Sequence, residues 1–436
     1  MSATSPRPSY AAVLRIPYAR RTFAAVLVGR LSYGMVSIAV LLAVTRTTGS
    51  YAVAGTVMAL FGATSVFLSP ARAALVDRYG PRRALLPMAS LYAVLLGALA
   101  VVSWRPGASG PVLGAVAGAA GACAPPLGPT MRTVWSELAA DRRLLRRAYS
   151  LDGVAEELLF VSGPLVVGAV VQFAAPAATV LLAAVLVVAG TAGFVTSPAV
   201  ARMPGRGPAP KGGARKRKPR VAARIVPPVV AAGGVGLSLG ALDLLVLAFA
   251  EQRGHGDDVV AWIFAALSGG SAVGGLLYGA VEWRSGARLR LALLTACLGL
   301  ALAGAGLAPN LAVLTGAVVC AGLFVAPALT TAYLVADESA PAGARTQAGA
   351  WVNTAVNAGI SAGAAASGLL VAHFSPTLGF ALAGAAALLA ATAVGAGRRR
   401  DRRAEEMGEM GEMGEMGEDA VESAAEIVVG RDGELR

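Results

Sequence analysis

Two acidic residues in one apolar stretch of the chain are spaced so that they can act together. Asp152 and Glu156 lie four positions apart in SLDGVAEELLFVSGPLVVGAVV, so a helix would place both on one face, while Glu157 points elsewhere. A carboxyl group that is partly removed from water can serve as a proton carrier. The alternative is a structural ion-pair cluster, with cations drawn from Arg132, Arg78 and Arg82. We prefer the structural interpretation for Asp152, and both interpretations stay open for Glu156.

Two more charged residues interrupt apolar stretches. Arg30 lies about 12 Å beyond the start of the first stretch if that stretch is helical. Because a guanidinium group does not lose its proton, Arg30 must face the acidic pair, an aqueous cavity or an anionic ligand. Asp243 follows the glycine-rich segment GGVGLSLG at 233–240, which a helix can bend easily. A carboxylate beside such a segment suits cation binding or protonation, and the alternative is a hydrogen bond to neighbouring backbone.

The elements that position these residues are predicted to be membrane-spanning helices. Of the 436 residues, 56% are hydrophobic and only 14% are charged, whereas soluble proteins carry about 25% charged residues. Roughly 20 apolar residues cross a bilayer as a helix, and the chain contains twelve such stretches. They are residues 23–44, 52–75, 84–103, 108–131, 150–172, 176–196, 226–250, 258–281, 290–308, 311–335, 347–372 and 377–396. We therefore predict an all-α membrane protein with twelve transmembrane helices, and a soluble enzyme is nearly excluded.

Basic residues divide and orient the chain. Arginines concentrate in alternate loops between the spans, which predicts that these loops and both termini are cytoplasmic. This distribution explains the net charge of +12, so no nucleic-acid partner is expected. The predicted organisation is a cytoplasmic N-terminal segment at 1–22, a six-helix bundle at 23–196, a basic cytoplasmic linker at 197–225, a second six-helix bundle at 226–396 and a disordered cytoplasmic tail at 397–436.

The two halves of the chain are related in sequence. PLGPTMRTVWSE at 126–137 aligns with PALTTAYLVADE at 327–338. The same offset of 201 positions pairs Asp152 with Asn353 and Glu156 with Asn357. Two related halves of six spans each predict two pseudo-symmetric bundles, an arrangement that is typical of secondary transporters.

A charged run separates the second and third spans. It reads Asp77-Arg78-Tyr79-Gly80-Pro81-Arg82-Arg83. Together with the two six-span halves and the basic linker, this run resembles the major facilitator superfamily over about residues 15–397. The resemblance implies a gating motif made of Asp77, Arg78, Gly80, Arg82 and Arg83. In such a motif the aspartate contacts the start of span eleven, here near Gln347, when the cytoplasmic side is closed, and the arginines meet nearby acids. The alternative is that these charges only fix the topology.

A second and shorter resemblance concerns span five. Gly163, Pro164 and Gly168 partly match the glycine–proline motif of the drug–proton antiporters in the same family. This match indicates export. The alternative is that these small residues only allow two helices to approach closely.

These observations predict a secondary active transporter that moves a small organic solute by alternating access, with proton-coupled efflux preferred. The alternatives are a sugar or metabolite importer of the same fold and a non-transporting membrane scaffold or receptor. The predicted proton-coupling and charge network consists of Asp243, Glu156, Asp152, Arg30 and Arg132. The predicted contacts for the solute are Tyr33, Trp262, Asn353 and Asn357.

The remaining expectations concern partners and chemistry. The sequence contains no nucleophile–base constellation, metal-ligand spacing, cofactor motif or GxxxxGK[ST] loop, so neither an enzyme nor an ATP-driven pump is expected. The expected partners are the lipid bilayer, the solute and protons. The protein is expected to be a monomer in the inner or plasma membrane of the cell.

Overall fold

Helices form every regular element that the structure describes. The computed structural model describes residues 9–104, 106–203, 205, 218–254, 257–341, 343–371 and 375–396. The predicted tail at 397–436, most of the predicted linker and the first eight residues lie outside this part of the chain. The first half contains α1 (Tyr10–Arg15), α2 (Ala19–Thr48), α3 (Tyr51–Phe67), α4 (Ser69–Tyr79), α5 (Pro81–Val102), α6 (Gly110–Cys123), α7 (Leu127–Leu138), α8 (Arg142–Val171), α9 (Pro176–Val195) and α10 (Pro198–Ala201). The second half contains α11 (Lys218–Glu251), α12 (Asp257–Ala280), α13 (Ala287–Ala305), α14 (Leu311–Ser339), α15 (Arg345–Val371) and α16 (Pro376–Ala396).

The described helices account for the predicted spans. Ten of them are long and apolar enough to cross a membrane when α6 and α7 are taken together as Gly110–Leu138. The pair of α3 and α4 adds an eleventh span, which bends by 41° between the two helices. The twelfth is α15, a helix of 27 residues that carries two asparagines. The predicted all-α architecture, with twelve transmembrane helices in two six-helix bundles, is confirmed.

Two of the predicted spans are not continuous helices. The span predicted at 52–75 bends at Leu68, and Pro70 follows within the first turn of α4. The span predicted at 108–131 is interrupted between α6 and α7, where Pro125 and Pro126 lie. A proline has no N–H to donate and pushes the preceding residue out of the helical conformation, so a helix ends before it.

The charged run between the second and third spans is shorter as a loop than its sequence suggests. Asp77 and Arg78 lie in the last turn of α4, while Arg82 and Arg83 lie in the first turn of α5. Only Gly80 remains between the helices, and its φ of 84° is a conformation that other residues rarely adopt. The tight turn fixes the direction in which the end of α4 presents its side chains.

The eighth helix begins earlier than predicted. The sequence places the fifth span at 150–172, but α8 starts at Arg142. Asp141 caps this start, because its carboxylate accepts a hydrogen bond from the backbone N–H of Leu144 at 2.7 Å. The arginines at 143, 146 and 147 therefore lie on a helix and not in a loop.

Among the described residues, the two bundles share a hydrophobic core at one end. At the end that carries most loop arginines, here called the basic end, one buried cluster joins both halves and includes Phe23, Trp135 and Tyr333. At the opposite end each bundle has its own buried cluster, with Leu96 in the first and Phe380 in the second. The bundles are therefore packed against each other through the basic end.

Candidate functional site

Four charged side chains meet between α2, α7 and α8. Nitrogen atoms of Arg30 lie 2.8 Å from an oxygen of Asp152 and 3.0 Å from an oxygen of Glu156. Nitrogen atoms of Arg132 lie 3.2 Å from Asp152 and 2.5 Å from Glu156. Each arginine thus pairs with both carboxylates, and we call these four residues the ion cluster. Of the alternatives considered for Arg30, the structure shows pairing with the two acids.

Burial and charge constrain what the ion cluster can do. The side chain of Asp152 is fully buried, whereas that of Glu156 is 29% exposed. The two arginines keep their protons, so the cluster is electrically neutral when both acids are ionised. Removing one member would leave an uncompensated buried charge. This arrangement favours the structural interpretation of Asp152 and Glu156, with Arg30 and Arg132 as partners where the sequence suggested Arg132, Arg78 or Arg82.

The second bundle places neutral residues at the positions related to this cluster. Tyr333 lies 201 positions after Arg132, and the carbon atom of the Arg132 guanidinium lies 3.7 Å from the centroid of the Tyr333 ring. The Tyr333 hydroxyl donates to the Asn353 side-chain oxygen at 3.4 Å, and the Asn357 amide donates to the Asn353 backbone carbonyl at 2.8 Å. We call Tyr333, Asn353 and Asn357 the neutral cluster. It meets the ion cluster through a cation–π contact.

The other predicted site residues lie apart from these two clusters. Asp243 is exposed on α11 and has no hydrogen-bond or ion-pair partner in the described part of the chain. Trp262 on α12 is 75% exposed. Tyr33 on α2 is half-buried, and its hydroxyl donates to the backbone carbonyl of Pro125 at the break between α6 and α7. The structure therefore brings together six of the predicted residues with Tyr333 and leaves Asp243 as a separate carboxylate.

Arg72 is not among the site residues predicted from the sequence, yet it holds the two broken spans together. Its buried guanidinium donates to four backbone carbonyl groups, at distances from 2.6 to 3.3 Å. The acceptors are Thr64, Ser65, Gly121 and Ala122. These carbonyls lie in the last turns of α3 and α6, where a helix leaves carbonyl groups without a full set of helical partners. The available signal was a single arginine beside a proline in a long apolar run.

Asp77 links the two bundles at the basic end. Its carboxylate accepts hydrogen bonds from the backbone N–H groups of Thr346 and Gln347, at 3.3 and 2.9 Å. These residues begin α15, where N–H groups lack helical partners and the helix dipole favours negative charge. The contact that the family resemblance implied for Asp77 is therefore present. Nearby, Arg345 lies 3.1 Å from Glu137 of the first bundle.

The arginines of the predicted gating motif behave differently. Within the described residues Arg78, Arg82 and Arg83 form no ion pair, so the implied contacts with acids are not found there. The guanidinium of Arg78 instead lies 5.1 Å from the ring centroid of Tyr79. Among the described residues, the aspartate of the motif is thus the member that contacts the other bundle, through the start of α15.

The predicted glycine–proline motif brings α8 close to α2. A Cβ atom on Gly163 would overlap the backbone of Gly34, so these helices touch through their main chains. Pro164 follows inside α8, and Gly168 faces open space. The close approach of Gly163 favours the packing interpretation and helps to bring Arg30 of α2 towards the acids of α8.

Two bundles of spanning helices that are closed against each other at one end, with charges enclosed at membrane depth, are the architecture of an alternating-access carrier. Among the described residues, no group of three metal-binding side chains could hold a metal ion. The family model of the Major Facilitator Superfamily matches residues 22–256 and 229–413, and the chain therefore belongs to this family. Members of the family are transporters, so the protein is a multi-pass secondary transporter and not an enzyme.

Solved structures of the same fold share little sequence with this chain. The human organic anion transporter MFSD10 (TETRAN) aligns with a TM-score of 0.64 and 16% identity, over 87% of this chain and 99% of its own. A bacterial homologue of the iron transporter ferroportin, in an outward-facing state, gives 0.69 and 14%, over 87% and 97%. The E. coli fucose:proton symporter FucP gives 0.62 and 14%, over 89% and 99%. No curated protein matches the sequence.

Proposed function

We propose that this transporter exports a small organic solute in exchange for protons. The observation that supports the proposal is a contrast between carboxylates. Asp152 and Glu156 are each held by two arginines, whereas Asp243 is exposed in a spanning helix with no partner in the described part of the chain. A carboxylate without a fixed cation can exchange a proton for a solute. Because only differential affinity shifts a conformational equilibrium, the proton at Asp243 has to favour one orientation of the carrier.

We infer that the basic end faces the cytoplasm, with both termini on that side of the cell membrane, since arginine-rich loops are retained there. In this orientation the closed basic end corresponds to a carrier open to the outside, which releases an exported solute and takes up a proton. Asp77 would stabilise this state through α15, and loss of its contact would let the bundles rock. Protease protection of tags placed at each terminus, in sealed vesicles of known orientation, tests the inferred topology.

The solute is proposed to contact residues of both bundles. Tyr33 lies beside the break between α6 and α7, and Asn353 and Asn357 offer amide groups next to the ion cluster. Trp262 is proposed as a further aromatic contact because its ring is largely exposed. A ligand-induced thermal-shift screen on the purified monomer, followed by the same screen on alanine variants, would identify the solute class.

The Asp243→Asn variant tests the proposed coupling in liposomes that contain the purified transporter and an imposed pH gradient. The amide cannot take up a proton, so we expect solute movement driven by the gradient to stop. Exchange of labelled for unlabelled solute without a gradient should continue, because exchange needs no net proton transfer. The matched control is Glu251→Gln, which makes the same chemical change at the exposed end of the same helix.

Full gradient-driven transport by the Asp243→Asn variant would remove this residue from the mechanism. The direction of the gradient that drives accumulation separates export from import by a symporter of the same fold. Absence of transport for every solute that shifts the melting temperature would favour a scaffold or receptor.

A further inference from the structure

The contact between α8 and α12 runs along two antiparallel helices from different bundles and starts at the basic end. Arg143 forms an ion pair with Glu282 at 2.8 Å, and two neighbouring arginines donate to backbone carbonyl groups that end α12. The contact then continues into the membrane. In order, the paired positions are Arg143 and Glu282, Arg146 and Val281, Arg147 and Ala280, Ser150 and Gly279, Val154 and Gly275, and Glu157 and Ser271.

The last pair in this series lies where the packed part of the contact ends. The Ser271 hydroxyl, which is buried, donates to a carboxylate oxygen of Glu157 at 2.7 Å. One and two turns further along α8, the side chains of Val161 and Leu165 are 54% and 68% exposed. Glu157 therefore lies at the boundary between the closed and the open part of the contact between the bundles.

Glu157 has no cation to neutralise it in the described part of the chain. Its only described polar contact is the Ser271 hydroxyl. The titratable or charged groups along the apolar parts of the helices packed around it include Tyr149, Asp152 and Glu156 on α8, Tyr278 on α12, Cys320, Tyr333 and Asp337 on α14, and Arg30 and Tyr33 on α2. None of these groups forms a hydrogen bond or an ion pair with Glu157, and Arg30 is already engaged with the ion cluster.

The neighbouring acid shows why this environment matters. Glu156 is held between two arginines, so adding a proton to it would leave the cluster with a net positive charge. Glu157 gains no such compensation when it is ionised, and its charge is tolerated only while water reaches the open part of the contact. Two adjacent carboxylates of one helix thus differ in the protonation state that their surroundings can accept.

We propose that Glu157 is a proton-binding site that sets which end of the transporter is closed. The proposal deepens the proposed proton-coupled export and rests on it. Closure of the opposite end would pack Val161 and Leu165 against the second bundle and remove the remaining water from Glu157. A neutral carboxylic acid accepts that change, whereas an ionised one resists it. The proton comes from water at the open end, binds a carboxylate oxygen of Glu157, and returns to water when the basic end opens.

The sign of the effect follows from this exchange. The state described here, with the basic end closed, leaves Glu157 only partly buried, so this state accepts the ionised form and is favoured as the pH rises. Acid favours closure of the opposite end. With one proton involved, the ratio of the two states changes by at most about tenfold per pH unit.

Spin labels at the opposite end test the proposal without any solute or gradient. Tyr51 and Leu307 are exposed in different bundles, so both are replaced by cysteine after Cys123, Cys297 and Cys320 are changed to serine. In lipid nanodiscs, pulsed electron paramagnetic resonance should show the distance between labels shortening as the pH falls. Every protein in this test also carries Asp243→Asn, which removes the other proposed proton site. In this background Glu157→Gln should show the short distance at every pH. Glu282→Gln, a control at the start of the same contact, should keep the pH response with at most a small shift of its midpoint, because its ion pair is more than half exposed.

Two further variants guard against simple loss of packing. Glu157→Asp keeps a titrating group and Ser271→Ala keeps the carboxylate, so both should keep a pH response with a displaced midpoint. Infrared difference spectra between acid and neutral pH should contain the C=O band of a protonated carboxyl in the parent protein, and Glu157→Gln should lack it.

Any of three results would overturn the proposal. The label distance in the parent protein does not depend on pH, or Glu157→Gln keeps the pH response of the parent. The third is that Glu157→Asp loses the pH response as Glu157→Gln does. None of these outcomes bears on whether a solute is exported, which the liposome assay with Asp243→Asn decides separately.

Discussion

The two halves of this transporter fill equivalent positions with opposite kinds of polar group. In the first bundle Arg132 and Glu156 belong to a cluster of four formal charges. In the second bundle the related positions are Tyr333 and Asn357, which form neutral hydrogen-bonded contacts or stack on the arginine. All four charges of the ion cluster lie within one bundle, and in the described part of the chain a cation–π contact joins this cluster to the other bundle.

This difference suits a protein whose bundles must separate and meet again. An ion pair buried between the bundles would leave unpaired charges whenever they moved apart, at a cost of several kcal/mol. A cation–π contact contributes only about 0.5–2 kcal/mol and can form and break in each cycle. The ion cluster thus stays intact within the first bundle throughout the cycle, whereas its contact with the neutral cluster of the second bundle can form and break.

The basic end also joins the two bundles in two ways, one through an acidic and one through basic side chains. On one side an acid, Asp77, accepts hydrogen bonds from the N-terminal backbone of α15. On the other side two bases, Arg146 and Arg147, donate to carbonyl groups at the C-terminal end of α12. Both arrangements agree with the helix dipole, so the first bundle presents to each of these two helix ends of the second bundle the charge that the helix end prefers.

Of the variants that test this difference between the two clusters, Arg132→Ala should have the largest effect on stability. It leaves Asp152 and Glu156 with a single arginine and removes the stacking partner of Tyr333. We expect the free energy of unfolding to fall by about 3–5 kcal/mol, the usual cost of breaking a buried ion pair. Equilibrium unfolding in mixed detergent micelles measures this change.

The control for this variant makes the ion cluster electrically neutral again but does not bring back the lost contacts of Arg132. Arg132→Ala combined with Glu156→Gln removes one charge of each sign, so we expect it to be more stable than Arg132→Ala alone. If the single variant loses less than about 1 kcal/mol, the cluster is better hydrated than its burial suggests and the contrast between the two halves fails.

The Asp77→Ala variant should have a moderate effect, because it removes a cap from α15 without leaving a buried charge. A lost helix cap costs about 1 kcal/mol, which corresponds to roughly a fivefold shift towards the state with an open basic end. Spin labels at positions 140 and 284, which are exposed at the basic end in different bundles, report the shift as a longer distance.

The matched control on the other side of the basic end is Arg143→Ala. Its ion pair with Glu282 joins two side chains that are more than half exposed, and such pairs contribute about 0–1 kcal/mol. We expect a smaller shift than for Asp77→Ala. Equal shifts for both variants would mean that the two sides of the basic end are equivalent and that Asp77 has no special role.

The charged residues of the ion cluster are recognisable in the sequence because a charge inside the membrane requires a partner of opposite charge. A guanidinium at membrane depth needs an anion, and helical spacing places Asp152 and Glu156 on one face. The choice between Arg30 and the loop arginines at 78 and 82 could not be made from spacing, since it depends on how α2 packs against α8. That packing requires Gly34 and Gly163 to meet, a long-range contact that no local pattern encodes.

The breaks in the second and fourth spans are a second feature that the hydropathy pattern does not predict. An apolar run continues through Leu68 and Ala124, so hydropathy alone predicts unbroken helices. Prolines 125 and 126 were a local signal for the second break. The role of Arg72 was not predictable, because the carbonyl groups that it binds come from two helices that meet only in the folded bundle.

The Tyr333→Phe variant should have the smallest effect, and it separates the contribution of the Tyr333 ring from that of its hydroxyl. It keeps the ring on which Arg132 stacks and removes only a hydroxyl whose hydrogen bond to Asn353 is long, at 3.4 Å. We expect a loss of about 0.5 kcal/mol in equilibrium unfolding, whereas Tyr333→Leu, which also removes the ring, should lose about 1 kcal/mol more. If Phe and Leu give the same result, the ring contributes only apolar volume, and the two bundles would then be joined at their centre by shape and not by charge.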